Sequence, residues 1–102
     1  MQVAIAGFDW DDGNRAKCQK HGVSTVEIEG LFSHGPAILP DLIHSTDTES
    51  RFIAIGKGSR GRHIFMVFTL RTRAGRTYVR PISARYMHRK EVIQYEKENP
   101  DL

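Results

Sequence analysis

The spacing of apolar residues changes character at Gly35-Pro36. Before that point the chain reads as one short strand and two helices. Val3 to Trp10 alternates weakly between apolar and polar positions and predicts a strand. Asp11 or Asp12 is placed to cap a first helix running to about His21, and Gly22 to end it in the left-handed conformation. Ser24-Thr-Val-Glu27 has the form of a capping box: the Ser hydroxyl accepts from the Glu27 amide, and the Glu carboxylate reaches back to the Ser24 amide. Val23 and Ile28 flank it with the spacing of a hydrophobic staple. Ile28, Leu31 and Phe32 then line one face of a second helix, which Gly35-Pro36 stops.

Beyond Gly35-Pro36 the rhythm is that of strands. Ala37 to Leu42 is short and broken by Pro40, which places it at a sheet edge. Arg51 to Gly56 is a fuller strand, and Gly56 to Gly61 its connection to the next. His63 to Leu70 is apolar on both faces, with Ile64, Met66 and Phe68 on one and Phe65 and Val67 on the other. That pattern belongs at the centre of a sheet. Thr72 to Arg76 is a turn, and Thr77 to Ala84 the next strand, where Pro81 demands an exposed edge or a bulge. A last helix runs from about Tyr86 to Glu98 and ends at Asn99-Pro100. The predicted order is β-α-α-β-β-β-β-α. Strands joined by short turns imply a small antiparallel sheet with two N-terminal helices and one C-terminal helix, an α+β fold.

Length and composition narrow the class. The 102 residues fit a single domain spanning 1–102, whose core needs no metal or disulfide staple. With 39% hydrophobic residues the chain is too apolar to be disordered. A single cysteine, Cys18, allows no intramolecular disulfide and fits a reducing cytoplasm. The first residues lack the charged region of a signal peptide, and no run approaches the roughly 18 apolar residues of a membrane span. The expected location is the cytoplasm, without a membrane partner.

Charge changes the picture more. Ser50 to Lys90 holds eleven basic side chains and no acidic one, and nine of the eleven are Arg. The first 49 residues hold eight Asp or Glu against Arg15, Lys17 and Lys20. A net charge of +3 hides this division. Arginine grips phosphate through a planar bidentate fork, and a long segment of one sign needs an anionic partner. Phosphodiester backbone is the commonest such partner. The competing reading is a basic sheet face that is solvated or neutralised by the chain's own acidic half.

Three segments concentrate candidate chemistry. Lys20-His21-Gly22 ends the first helix; His21 is suited to proton transfer near neutrality and Lys20 to holding phosphate. The plain alternative is that His21 caps helix carbonyls and Lys20 is solvated. Glu49-Ser50-Arg51 opens a strand, where Glu49 is either a general base, an orienter of one arginine or half of a surface ion pair. In Arg80-Pro-Ile-Ser-Ala-Arg85, strand alternation puts Tyr78, Arg80, Ile82 and Ala84 in one row, so Arg80 is paired or aimed at a ligand. Arg85, expected at the following helix start, is badly placed for the helix dipole and is held by something else. Cys18 has no CxxC partner, and His21, His34, His44, His63 and His88 show no metal-binding spacing, so no metal or other cofactor is expected. A metal-free enzyme on phosphodiesters would need an acid–base pair and arginines. RNA supplies its own 2′-OH nucleophile, which makes it the easier substrate.

These segments, in this order, resemble the BrnT family of bacterial type II toxins. The matching residues are Phe8-Asp-Trp-Asp11, Lys20-His-Gly-Val23, Glu49, Arg51, Ile55-Gly56, Phe68-Thr69-Leu-Arg71, Arg80-Pro-Ile-Ser-Ala-Arg85, Glu91 and Tyr95. The resemblance implies a fold similar to RelE-type ribonuclease toxins and metal-independent RNA cleavage that halts translation and growth. It also implies a BrnA-like antitoxin with a ribbon-helix-helix part, binding of promoter DNA through that antitoxin, and a toxin–antitoxin heterotetramer. On this reading His21 transfers the proton, with Glu49 as second choice. Arg51, Arg80 and Arg85 hold the scissile phosphate, and Lys20, Arg62 and Arg71 bind the RNA. The alternative is a non-catalytic nucleic-acid-binding or antitoxin-docking module with a basic sheet face. A DNA reader is the poorer fit, because the last helix mixes His88, Arg89 and Lys90 with Glu91, Glu96 and Glu98.

Overall fold

A computed structural model describes residues 4–99. In chain order the elements are β1 (Gly7–Phe8), α1 (Asp12–Gln19), α2 (Thr25–Ser33), β2 (Ala37–Pro40), β3 (Arg51–Lys57), β4 (His63–Arg73), β5 (Arg76–Tyr86) and α3 (Arg89–Glu98). The architecture is α+β and the order is the one the sequence predicts. The five strands lie in the order β1-β5-β4-β3-β2. Neighbours from β2 to β5 pair antiparallel, whereas β1 runs parallel to β5, with Gly7 opposite Tyr78 and Phe8 opposite Val79. The sheet is therefore mixed. The helices and three strands separate β1 from β5, so no tight hairpin fixes their relative direction.

β1 is far shorter than the predicted strand, of which Val3 lies outside the described residues. Its pairing extends only to Ala6 and Asp9, whose amides reach Thr77 O and Val79 O at 2.8 Å. The chain then turns at Asp11, which caps α1: its carboxylate accepts from the Asn14 amide while the Asn14 side chain accepts from the Asp11 amide. Gly22, at φ +86°, carries the chain out of α1 in the left-handed conformation, as the sequence predicts. At α2 the capping box is only half formed. Ser24 Oγ accepts from the Glu27 amide at 3.2 Å, but the Glu27 side chain turns into the interior instead of back to Ser24.

β2 is the edge strand that Pro40 predicts, and β4 is central. Pro81 lies at a bulge in β5, just past the Tyr78 and Val79 that β1 pairs with, so that no strand neighbours it on that side. Val67 pairs with Ser83 and Phe68 with Pro81, leaving Ile82 as the extra residue. α3 begins three residues later than predicted, because the β4–β5 ladder continues to Tyr86 and the Met87 amide still reaches His63 O. Asn99 ends α3; Pro100 lies outside the described residues.

α1 and α2 cover one face of the sheet. Cys18, Val23, Ile28 and Leu31 pack there on Ala54, Ile64, Met66, Phe68, Val79 and Ala84. Each fully buried large side chain in this layer contributes on the order of 1.5–3 kcal/mol. Phe8, Phe32, Phe68 and Phe52 continue it as a row of aromatic contacts with centroids 5.3–5.5 Å apart. The other face is treated differently. α3, which follows it in sequence, buries none of its side chains and touches the sheet through Tyr95, whose hydroxyl lies 3.5 Å from Ile55 O. That sparsely covered face holds most of the candidate chemistry.

Candidate functional site

The bulge in β5 decides which side chains meet. Arg80 pairs across the ladder with Thr69 and Arg85 with Phe65, both on the face opposite α1 and α2, where α3 touches the sheet. Five residues separate the two arginines, and strict alternation would have put them on opposite faces. The extra residue Ile82 restores them to the same one. The expected row of Arg80 with Ile82 and Ala84 is therefore not formed: Ala84 opposes Met66 in the core and is 2% exposed. Arg80 and Arg85 each open onto a cleft, one at either end of this stretch of β5.

The first cleft, of about 410 Å³, is lined by Lys17, Arg51, Arg71 and Arg80 together with Asp11 and Glu49, over Asn14, Thr69 and Pro81. Four cations thus face two carboxylates. Glu49 accepts from Arg51 Nε at 3.0 Å and stands 3.4 Å from Arg71 Nη2. Arg80 donates to Asp11 at 2.7 Å and lies 3.6 Å from Asp9, which Arg73 also approaches, at 3.2 Å. Asp11 is held below the usual carboxylate range, first by the Asn14 amide and then by Arg80. Arg80 is raised in turn, first by its hydrogen bond to Asp11.

Two buried polar residues build this cleft. Asn14 donates from Nδ2 to Asp9 O and to Pro81 O, both at 2.9 Å, and so ties the first turn of α1 to the bulge. Pro81 has no amide of its own to offer, but its carbonyl still needs a donor. Thr69 donates from Oγ1 to Ser50 O at 2.7 Å, fixing the Glu49-Ser50-Arg51 segment against β4. Ser45 holds the same segment from the other side, its hydroxyl accepting from the Arg51 amide at 2.9 Å.

The second cleft, of about 440 Å³, is lined by His21, Arg62, Arg85, Tyr86, Met87 and His88. Its wall is more apolar than that of the first, and no carboxylate lines it. Arg62 lies over the Tyr86 ring with its guanidinium carbon 3.6 Å from the centroid. The Tyr86 hydroxyl donates to buried Glu27 at 2.7 Å, which raises the phenol above its ordinary value. Arg85 forms a bidentate pair with Glu91, at 2.7 and 2.9 Å, and rests on the Phe65 ring at 4.7 Å. Glu91 is pulled down to about 2, first by Arg85 and then by the His88 amide. Arg85 is thus held by another group, as its sequence position requires, but from the end of β5 rather than from a helix start.

The predicted site residues therefore fall into two groups. Glu49, Arg51, Arg71 and Arg80 share the first cleft; His21, Arg62 and Arg85 share the second. Lys20 lines neither and is exposed at the end of α1. His21 and Glu49, the two candidate proton-transfer residues, do not meet in either cleft. Lys17 and Asn14 were not singled out from the sequence; Thr69 entered only within the Phe68-Thr69-Leu-Arg71 match, and Asp11 only as a cap and within the Phe8-Asp-Trp-Asp11 match. The one signal for Asp11 was that a partly buried arginine needs a carboxylate, and eight of the chain's twelve acids precede Ser50. Among the described residues no group of three His, Cys, Asp or Glu side chains is arranged to hold a metal ion. Cys18 lies in the core, where burial pushes its thiol up to about 11. Among the described residues no helix is long and apolar enough to cross a membrane.

The competing reading of the basic segment is realised in part. Of its eleven cations, Arg51, Arg60, Arg71, Arg73, Arg80 and Arg85 pair with the protein's own carboxylates. Among the described residues Lys57, Arg62, Arg76, Arg89 and Lys90 do not. Comparison with known proteins adds one finding. A family model described as "Ribonuclease toxin, BrnT, of type II toxin-antitoxin system" matches residues 10–91. No curated protein matches the chain.

Proposed function

The chain belongs to the BrnT family, the ribonuclease toxins of type II toxin–antitoxin systems, and from that premise we propose that it is a metal-independent endoribonuclease whose reaction takes place in the Arg80 cleft. The observation that carries this reading is the convergence of Lys17, Arg51, Arg71 and Arg80 around Glu49. Glu49 takes the proton from an RNA 2′-OH, whose oxygen attacks the adjacent phosphorus. The P–O5′ bond breaks as the O2′–P bond forms, leaving a 2′,3′-cyclic phosphate and a 5′-hydroxyl that gains a proton from Lys17 or water. Arg51 and Arg80 neutralise the charge that grows on the phosphoryl oxygens. Asp11 and Asn14 hold Arg80 in place, and Thr69 holds the segment that bears Glu49 and Arg51. His21, Arg62 and Arg85 bind the RNA chain where it continues along β5. Five strand residues at ~3.3 Å each separate the two clefts by on the order of 15 Å, more than one nucleotide.

Cleavage of cellular RNA in the cytoplasm would halt translation and growth. A BrnA-like ribbon-helix-helix antitoxin would neutralise the toxin by covering these arginines, carry the complex to promoter DNA, and assemble it as a heterotetramer. A second reading has a specific observation behind it: His21, Arg62 and Arg85 share a cleft, so His21 is a rival centre of proton transfer. The deciding experiment is cleavage of a defined RNA by purified protein in excess EDTA, beside Glu49→Gln, Arg80→Ala and His21→Ala. Loss of cleavage in the first two with His21→Ala still active supports the Arg80 cleft. Arg80→Ala should cost about 10²–10³ in rate, the worth of one preorganised donor to a developing oxyanion. Loss only in His21→Ala moves the reaction to the second cleft. Tight RNA binding without cleavage leaves a binding module, and neither binding nor cleavage leaves a surface for docking the antitoxin.

A further inference from the structure

Arg62 is the one arginine of the two clefts that has no carboxylate partner among the described residues, yet it is held in place. Its guanidinium lies over the Tyr86 ring, with its central carbon 3.6 Å from the ring centroid. The connection that bears it, between β3 and β4, is seated firmly. The Gly58 amide donates to Arg62 O at 3.0 Å, and a Cβ at Gly58 would meet Ile64 Cδ1 at 2.5 Å. Gly30 in α2 admits the same connection, since a Cβ there would meet Ser59 Cβ at 2.9 Å. Tyr86 is anchored from below by Glu27, which is 1% exposed and retains one oxygen, Oε2, without a hydrogen-bond partner. A carboxylate buried this deeply is costly, and the nearest cation, Arg60, stands 3.9 Å away. Its position is explained if its role is to fix the Tyr86 ring.

The surroundings select the ligand. Arg62 is exposed, so its guanidinium is covered by Tyr86 on one side only. The cleft beside it is predominantly apolar, carries His21 and His88, and lacks any acidic lining residue. A flat apolar group flanked by negative charge fits that combination, and single-stranded RNA presents one at every base. Unstacked RNA bases settle on aromatic rings and on guanidinium planes. A site that gripped only phosphate would gain nothing from holding the guanidinium over a ring. We infer that the Arg62–Tyr86 pair is a stacking platform for one RNA base, with Glu27 as its buried positioning residue. The inference rests on the ribonuclease reading and assigns that enzyme a subsite for a nucleobase beyond the Arg80 cleft.

The test uses a fully 2′-O-methylated RNA oligonucleotide, which cannot react through its 2′ oxygen. Binding of the intact probe and of probes with one abasic position is measured for wild type and for Arg62→Lys. Lysine keeps the charge and loses the plane. In wild type one abasic position should weaken binding about 10- to 100-fold, the range expected for a stacked base. In Arg62→Lys that penalty should shrink to less than about threefold, while the response to abasic positions elsewhere is unchanged. An equal penalty in both proteins, or no penalty at any position, overturns the platform. If wild type cleaves ordinary RNA in EDTA while either of those results holds, the platform alone fails. If wild type neither binds nor cleaves RNA, the ribonuclease reading fails and the platform with it.

Discussion

Two residues near the clefts take roles that their sequence positions did not announce. Glu27 has the place of a capping-box carboxylate, three residues after Ser24, but the interior claims it, because Tyr86 offers a hydroxyl that its own helix start cannot match. Asn14 reads as an ordinary helix residue and proves to be a buried link among Asp9, Asp11 and Pro81. Neither the Glu27–Tyr86 nor the Asn14–Pro81 contact was legible, since each joins segments far apart in sequence. Arg80 was legible as a paired or ligand-directed arginine, and its partners Asp9 and Asp11 came only with the fold. The Glu27 contact makes a measurable prediction. Tyr86→Phe removes the hydroxyl and leaves the carboxylate without that donor, so it should lower stability by about 1–3 kcal/mol in urea denaturation. Unchanged stability would mean that water or Arg60 serves Glu27 equally well.

At the scale of elements, the strands from Ala37 onward were the readable part. Pro40 marked an edge, and the doubly apolar β4 marked the centre. Pro81 left two possibilities, edge or bulge, and only pairing shows that a bulge lies there, just past the end of β1. The bulge matters because it puts Arg80 and Arg85 on one face. β1 is shorter than its weak alternation suggests, and two paired residues suffice to hold it beside β5. α3 starts later than its pattern predicts because Tyr86 suits either a strand or a helix, and the ladder to Ile64 wins. α3 itself is held by few contacts, of which Arg85–Glu91 is the closest. Glu91 has its carboxyl lowered from an ordinary 4.5 to about 2. Its contribution is therefore complete above that ordinary value and is lost as pH falls toward 2. Both side chains are more than a third exposed, so the energy at stake is small. Protection of the α3 amides, relative to their intrinsic exchange rates, should fall across that window before that of the sheet does, and Glu91→Gln should show the lower protection already at neutral pH. Equal protection in α3 and sheet at every pH would show that the pair does not hold the helix.

For the whole molecule, the division of charge along the chain becomes a division of labour in space. The acidic first half folds back to neutralise five of the eleven cations in the basic second half, and Glu91 of α3 takes a sixth, Arg85. The sequence displays the excess of charge but not this internal pairing, which depends on where β5 lies relative to Asp9, Asp11 and Glu49. The pairing sets the salt response. An RNA strand gains counterion release only where it meets cations not already matched within the protein, at a slope of about −0.7 per phosphate. The five in the basic segment, with Lys17 and Lys20, predict a log–log slope no steeper than roughly −5, against roughly −9 if all thirteen took part. A titration of oligonucleotide affinity across salt concentrations distinguishes the two. The shared Glu49 and the Arg85–Glu91 fork have a further consequence. An anion entering either place exchanges one oxygen partner for another and gains little by it. A lone phosphate has nothing else to contribute, whereas a polymer engages both clefts at once and multiplies small gains through valency. On the proposed function the internal carboxylates would set a threshold for length, with small phosphates gaining nothing and a chain binding.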